Sequence, residues 1–279
     1  MICDLHAHSI YSDGTLTPRE IIEEAIDLKI SAIALTDHNT VEGLSDFIAF
    51  ASGKDIDIVP GTEFSVDYNG KELHLLALFI KPEYFNKISD LMNDFIIRKE
   101  ESNINLVNAL IKAGFELDYD EIKSTTPNGK INRAHIATAM MRKGYVSSVV
   151  EAFETYLSKN GVYYKEPQRI SIWDMLDFIK SIEAVSVLAH PFLNLSKEEL
   201  EIFLPLAKKH GLVGIECYYS LYDEKTTETS LRLAKQFDLL PSGGSDFHGA
   251  RKPDIKLGVG KGDLKVPYEW YLSLKNSAN

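Results

Sequence analysis

The sequence predicts an α/β fold: a closed or distorted parallel β/α barrel carrying a small inserted helical domain. Three observations point there. Apolar strand-like runs alternate with amphipathic helices over the first 84 residues and again from 161 onward, the pattern of βαβ units in a parallel sheet. Between them, from 85 to 160, helix follows helix without a strand. No GxGxxG turn follows the first strand, which favours a barrel over an open dinucleotide-binding sheet. The expected domains are a barrel built from 1–84 and 161–279, and a helical insertion at 85–160.

"ICDL" is a short apolar strand, and "TLTPREIIEEAIDLK" a helix with Thr17 as N-cap, Pro18 in the first turn and Glu20 closing a capping box. "ISAIALT" is apolar almost throughout, as in a strand covered on both faces. "IDIVPGTEF" is a further strand, and Asn69-Gly70 inside "FSVDYNGKELHLLALFI" signals a type I′ hairpin. Residues 84–115 form a long helical stretch ending near Gly114. Asn132 opens "INRAHIATAMMRKGY", and "SSVVEAFETYL" is a third helix. Ser171 caps "IWDMLDFIKSI" and "AVSVLAHP" is a strand. Ser196 and Glu199 open "KEELEIFLPLAKKH", which Pro205 should kink or shorten. "VGIECYY", "EKTTETSLRLAKQF" and "LLPSGGSDFHG" supply strand, helix, and a strand running into a loop. About seven main strands result.

Composition narrows the function. The chain has 279 residues, 44% hydrophobic and 25% charged, with a formal net charge of −11. Such a surface repels long polyanions. No Lys/Arg run marks a groove for long nucleic acid. No apolar run approaches the ~20 residues of a membrane span, and no signal-peptide pattern opens the sequence. Cys3 and Cys217 form no CxxC pair and read as buried thiols. A cytoplasmic protein acting on a small anionic ligand fits these features; oligomeric state is not written in them.

The ligand-type side chains are concentrated. His6 and His8 follow strand one, with Asp13 close behind; His38 follows strand two, and Glu63 follows strand three. His74 lies in the second strand of the hairpin, His190 ends "SVLAHP", and Asp246 and His248 end the last strand. Each alone has a bland reading as a loop histidine or a turn. Together, six of the eight histidines and three carboxylates sit at strand ends, which converge on one face in a barrel. A mixed N/O set of nine suits two or three divalent ions, Mn²⁺, Fe²⁺ or Zn²⁺, if a carboxylate bridges. Clustered ions lower the pKa of a bound water and neutralise phosphoryl oxygens, the requirements of phosphate ester hydrolysis.

"DLHAHSIYSDG", "LTDHNTVEG", "PGTEFS", "LAHP" and "GGSDFHG", in this order, resemble the polymerase-and-histidinol-phosphatase (PHP) family of metal phosphoesterases. The resemblance implies a distorted (β/α)7 barrel with up to three metals. Carried over by motif, one ion takes His6, His8, bridging Glu63 and Asp246. A second takes Asp13, His38 and His248; a third shares Glu63 and adds His74 and His190. Asp246 and His190 are the candidates to handle the leaving-group proton. Asn39 stands where many relatives have an acid, at a position that is not a ligand.

"INRAHIATAM", "EAFETYL" and "VYYKEP" are similar to the nucleotide-acting PHP subfamily. Those enzymes remove the 3′-phosphate of nucleoside 3′,5′-bisphosphates or trim short RNA from the 5′ end. Asn132 would cap a helix whose first N–H groups favour an anion, with Arg133 and His135 in that turn and Lys165, flanked by Tyr163 and Tyr164, closing on the same anion as a 5′-phosphate clamp. The bland alternative makes Arg133 a surface charge and His135 an ordinary helix residue. The expected partner is a small phosphorylated substrate, a nucleotide or short RNA. A metabolite phosphatase such as histidinol phosphatase, or a nucleotide-binding module without turnover, are the alternatives. Tyr218, Tyr219 and Tyr222 are candidates to stack on a base or to pack the barrel rim; Phe247, between two ligands, reads as packing.

Overall fold

A computed structural model describes residues 1–126, 131–158, 161–165, 167 and 169–278. In chain order the elements are β1 (Ile2–Asp4), α1 (Pro18–Asp27), β2 (Ala32–Leu35), α2 (Leu44–Ala51), β3 (Asp57–Tyr68), β4 (Lys71–Leu78), α3 (Phe85–Lys112), α4 (Tyr119–Ser124), α5 (Arg133–Arg142) and α6 (Val149–Thr155). They continue with α7 (Ile172–Ser181), β5 (Val185–Ala189), α8 (Lys197–Lys209), β6 (Gly214–Tyr219), α9 (Glu224–Gln236), β7 (Leu240–Gly244), β8 (Val266–Pro267) and α10 (Tyr268–Ser277). The chain divides into two compact units, Met1–Ser89 with Arg169–Asn279, and Asp90–Gln168. Part of the quoted "VYYKEP" segment lies outside the described residues.

In the first unit the strand order is β7-β6-β5-β4-β3-β2-β1-β8. β7 comes back to β1: the Leu5 N–H donates to the Gly243 carbonyl at 3.1 Å, and Ala7 bridges Phe247 in parallel sense. The barrel is thereby nearly closed. β1, β2 and β3 run parallel, as do β5, β6 and β7. β4 is reversed, antiparallel to both neighbours. The Asn69-Gly70 turn causes the reversal, with φ of 52° and 80°, both positive as a type I′ turn requires.

Three local expectations change. β3 is one strand rather than two segments, because Asp57–Pro60 pairs with β2 and Gly61–Tyr68 with β4 without a break. Glu63 therefore lies inside a strand, not after it. β8 has two residues, too few to show periodicity, and adds an eighth strand antiparallel to β1. α8 is not shortened at Pro205 and runs to Lys209. Phe203, Leu204 and Ala207, buried on both sides of the proline, hold the helix against the loss of one backbone hydrogen bond.

The helix starts are as the caps dictate. Thr17 with Glu20 and Ser196 with Glu199 form capping boxes, and Ser171 accepts from the Asp174 N–H. Inside the first unit, Cys3, Ala34, Val59, Leu76 and Val187 from β1 to β5 bury against Tyr271 and Leu274 of α10. Cys3 and Cys217 are free and buried. The second unit has its own core, where Leu106 and Leu110 of α3 meet Ile136 and Met140 of α5 and Leu157.

Barrel closure leaves no room beside His6. A Cβ on Gly244 would lie 2.4 Å from the His6 Cβ and 2.5 Å from its backbone nitrogen. Gly244→Ala should therefore lower stability by about 1–3 kcal/mol and shift the ladder that carries His6. Urea unfolding checks this; an unchanged midpoint would refute the close approach.

Candidate metal centre

Glu63 sits at the middle of the site, fully buried, with both carboxylate oxygens facing imidazoles. Oε2 lies 3.2 Å from His6 Nε2, 3.2 Å from His8 Nε2 and 3.1 Å from His38 Nδ1. Oε1 lies 2.8 Å from His74 Nδ1 and 3.0 Å from His190 Nε2. Asp246 Oδ1 faces the same space, 3.3 Å from His8 Nε2 and 3.7 Å from His6 Nε2. Asp13 Oδ1 is 3.2 Å from His248 Nε2. His6 and His8 are wholly buried, while Asp13, His38 and His74 are partly exposed.

The fold explains the convergence. His6, His8, His190, Asp246 and His248 leave the ends of parallel strands. His74 instead lies early in β4, opposite Ser65 and Ala189; because β4 is antiparallel, its beginning meets the ends of its neighbours. Nine expected ligand residues thus come together in four overlapping groups: His8, Asp13, His38 and His248; His6, Glu63 and His190; His6, His8 and Asp246; His38, Glu63 and His74.

These groups fit metal ions. Six buried atoms here have no hydrogen-bond partner among the described residues: His6 Nε2, His8 Nδ1 and Nε2, His38 Nδ1, His190 Nδ1 and Glu63 Oε2. Leaving such atoms unpaired costs about 1–3 kcal/mol each, so a cluster of them marks a place built for a ligand. The short donor–donor gaps also match. Two nitrogen or oxygen ligands about 2.1 Å from one zinc in tetrahedral geometry lie roughly 3.4 Å apart, close to the spacings around Glu63 Oε2.

The charges lock one another. Burial alone would raise the Glu63 carboxyl, but the facing imidazoles hold it well below the ordinary range. Asp246 and Asp13 are likewise lowered, against their burial, by the facing imidazoles of His8 and His248 respectively. Burial opposes charging of His8 and His74, yet carboxylates outweigh it: Asp246 and Glu63 push His8 up to about 9, and Glu63 with Glu72 pushes His74 up to about 10. Burial keeps His38 well below the usual histidine range.

Sequence reasoning missed the residues that hold the ligands. Asp37 accepts from the Ser9 N–H at 2.8 Å, the Ser9 hydroxyl at 2.6 Å and the Ser12 hydroxyl at 2.6 Å, fixing the loop between His8 and Asp13. Asp4 accepts from the Ser245 N–H at 2.9 Å, the Ser245 hydroxyl at 2.6 Å and the Gly258 N–H at 2.8 Å. Glu216 takes His6 Nδ1 and the His190 N–H. Tyr219 and Lys252 approach Asp246 Oδ2 at 3.1 and 2.6 Å. One signal was available, since Asp4 and Glu216 are acids inside otherwise apolar strands. Nothing in the sequence marks Lys252. Tyr218 and Tyr219 lie within β6 and pack against Trp270 and His190, and Phe247 is buried.

In the second unit, Asn132 caps α5. Its side chain accepts from the His135 N–H at 3.1 Å, and His135 Nδ1 accepts from the Asn132 N–H at 3.1 Å. His135 thus closes a capping box as well as standing in the first turn. The Arg133 guanidinium donates to the Leu157 carbonyl at 2.9 Å and lies 4.2 Å from the Tyr164 ring centroid. Lys165 is exposed.

A nearly closed α/β barrel that gathers six histidines and three carboxylates in one cluster is the framework of a metal-dependent hydrolase. Comparison places it further. The PHP domain matches residues 4–186, and the chain belongs to that family. It is 30% identical over 269 residues to the 5′-3′ exoribonuclease Rnm of Escherichia coli, covering 92% of this chain and 88% of that protein. It is 29% identical over 247 residues to the 3′,5′-nucleoside bisphosphate phosphatase of Chromobacterium violaceum, covering 88% and 86%. The solved structure of an amidohydrolase from Chromobacterium violaceum with bound sulfate matches with a TM-score of 0.78 at 26% identity, over 99% of this chain and 97% of that one. The protein is a PHP metal-dependent phosphoesterase, an enzyme that hydrolyses phosphate esters. Among the described residues no helix is long and apolar enough to cross a membrane.

The raised histidines set a pH dependence for chelator-treated protein. His8 and His74 keep their protons up to about 9 and about 10 when folded, but only to about 6.5 when unfolded. Their stabilisation is complete below the unfolded value and is lost as pH rises through the folded values. The urea midpoint of metal-stripped protein should fall between pH 7 and 10. Metal-loaded protein should not follow, because ligation needs neutral imidazoles. A flat profile for stripped protein would contradict this electrostatic account.

Proposed function

We propose that the enzyme removes the 3′-phosphate from nucleoside 3′,5′-bisphosphates or shortens 5′-phosphorylated oligoribonucleotides from the 5′ end. The observation that carries this is one chain holding both a complete nine-ligand cluster and, in its second unit, an Asn132-capped helix with Arg133 in its first turn. A helix N-terminus with an adjacent guanidinium suits a phosphate. The alignment with nucleotide-acting relatives supports the same reading, since it runs over about nine-tenths of the chain.

In this reading two or three divalent ions, Mn²⁺, Fe²⁺ or Zn²⁺, are held by His6, His8, Asp13, His38, Glu63, His74, His190, Asp246 and His248. When bound they supply water activation and charge neutralisation at the phosphoryl oxygens. Glu63, with each oxygen aimed at a different set of imidazoles, is the shared ligand. Asp246 or His190 passes the proton to the leaving oxygen. Arg133, His135 and Lys165 hold the second phosphate of the substrate.

Phosphate release by Mn²⁺-loaded protein tests the proposal. Adenosine 3′,5′-bisphosphate or a 5′-phosphorylated trinucleotide should show a kcat/KM at least 100-fold above p-nitrophenyl phosphate, about 2.7 kcal/mol of discrimination. Equal, slow turnover of all these compounds and of histidinol phosphate would overturn it. Arg133→Ala should raise KM for the bisphosphate while leaving the aryl phosphate unchanged. His38→Ala and Asp246→Ala should each abolish turnover of both, and retained activity would remove the metal assignment.

A further inference from the structure

β6 supplies none of the nine ligands, yet two of its side chains reach three of them. In a regular strand Glu216 and Tyr219, three positions apart, would point to opposite faces. β6 is not regular. Against β7, Glu216 pairs with Ser242, Tyr218 with Gly243 and Tyr219 with Gly244. Cys217 is therefore an extra residue, a β-bulge, and the bulge returns Tyr219 to the face of Glu216. Both are buried, at 0% and 4% exposure.

Each makes contacts with a direction. Glu216 Oε1 faces His6 Nδ1 at 3.1 Å, and Oε2 accepts from the His190 backbone N–H at 2.7 Å. The Tyr219 hydroxyl donates to Asp246 Oδ2 at 3.1 Å. The atoms left over are those turned toward the cluster: His6 Nε2, which has no hydrogen-bond partner, and Asp246 Oδ1. His190 has a φ of +26°, which a non-glycine residue keeps only when its surroundings hold it.

We propose that the bulge at Cys217 makes β6 the positioning strand of the metal centre. Glu216 fixes His6 in the tautomer that offers Nε2 and seats His190, while Tyr219 leaves Oδ1 as the ligating oxygen of Asp246. This rests on the metal centre of a phosphoesterase but not on which phosphate ester is hydrolysed.

Glu216→Gln is the informative change, because it keeps size and removes one acceptor. A single amide oxygen cannot take both donors, so the NH₂ opposes either His6 Nδ1–H or the His190 N–H. Moving the His6 proton to Nε2 relieves the conflict and blocks ligation. Selective ¹⁵N-histidine spectra of Zn²⁺-loaded protein should show wild-type His6 ligated through Nε2 with a proton on Nδ1, and that signal lost in Glu216→Gln. Chelator competition should show Mn²⁺ affinity falling about 10- to 100-fold. Tyr219→Phe should weaken Mn²⁺ binding about 10-fold with the His6 signal unchanged. Turnover of p-nitrophenyl phosphate by both variants should recover with excess Mn²⁺. Wild-type Mn²⁺ affinity, within twofold, in both variants, or an unchanged ligated His6 signal in Zn²⁺-loaded Glu216→Gln, would overturn the proposal. If Glu216→Gln does not fold, Tyr219→Phe decides by itself: undiminished affinity overturns the proposal. None of these readouts uses a nucleotide, so failure of the substrate reading and failure of this one are separate results.

Discussion

The structure depends on one buried carboxylate. Glu63 is wholly removed from water, and an isolated charge there would cost several kcal/mol. Five imidazoles, from His6, His8, His38, His74 and His190, stand within 3.2 Å of its two oxygens. They come from the segment after β1, the loop after β2, β4 and the residue after β5, so the charge is compensated only when the barrel is assembled. Closing the wall and completing the site are therefore one event. This also explains the orphaned nitrogens: a single carboxylate cannot hydrogen-bond five rings, and a divalent ion can satisfy several at once.

The parts legible in the sequence were those with a local cause. Caps at Thr17, Ser171 and Ser196 declare helix starts within three residues, and Asn69-Gly70 declares its turn. Ligand residues were legible because histidines rarely cluster without a reason. What stayed hidden depends on pairing between distant segments. His74 belongs to the site only because β4 runs backwards, and Glu63 is mid-strand only because β3 changes partner at Gly61. β8 exists only because β1 offers an edge to Val266 and Pro267. Glu216 was hidden for a subtler reason. Its parity relative to Tyr219 is set by one extra residue, and no period-two reading of "VGIECYY" reveals a bulge.

Charge explains why ions are needed for more than chemistry. The chain carries a formal net charge of −11, and Asp4, Asp37, Glu63, Glu216 and Asp246 are all buried in or beside the centre. A phosphate approaching that set without cations meets repulsion at short range, where solvent screens least. Lys252 on Asp246 Oδ2 offsets one of these charges. Divalent ions reverse the local sign, and the same ions then orient what they attract. In the second unit the positive features are modest by comparison: a helix N-terminus, Arg133 and the exposed Lys165. His135 shows economy there, since its ring closes the cap of α5 while its position keeps it in the first turn.

Backbone strain falls on the same residues as function. Among non-glycine residues with positive φ are His190 at 26° and Asp246 at 55°, and Asn39, directly after His38, at 52°. Each costs of order 1–3 kcal/mol. Each also has its backbone N–H held: His190 by Glu216, Asp246 by the His6 carbonyl at 2.9 Å, and Asn39 by the Glu63 carbonyl at 2.9 Å. These strained residues are thus tied to members of the cluster or its supports, not to distant scaffold. A barrel could be more stable with ordinary turns at these three places, but the chain would then leave each strand in a different direction and the ligands would diverge. The left-handed conformations turn the chain sharply at the barrel mouth, and the hydrogen bonds that these N–H groups donate to Glu216, His6 and Glu63 make that turn persist. The centre is therefore self-supporting. Loosening one ligand releases the constraint on the next, so losses at paired positions such as His190 and Glu216 should be far from additive.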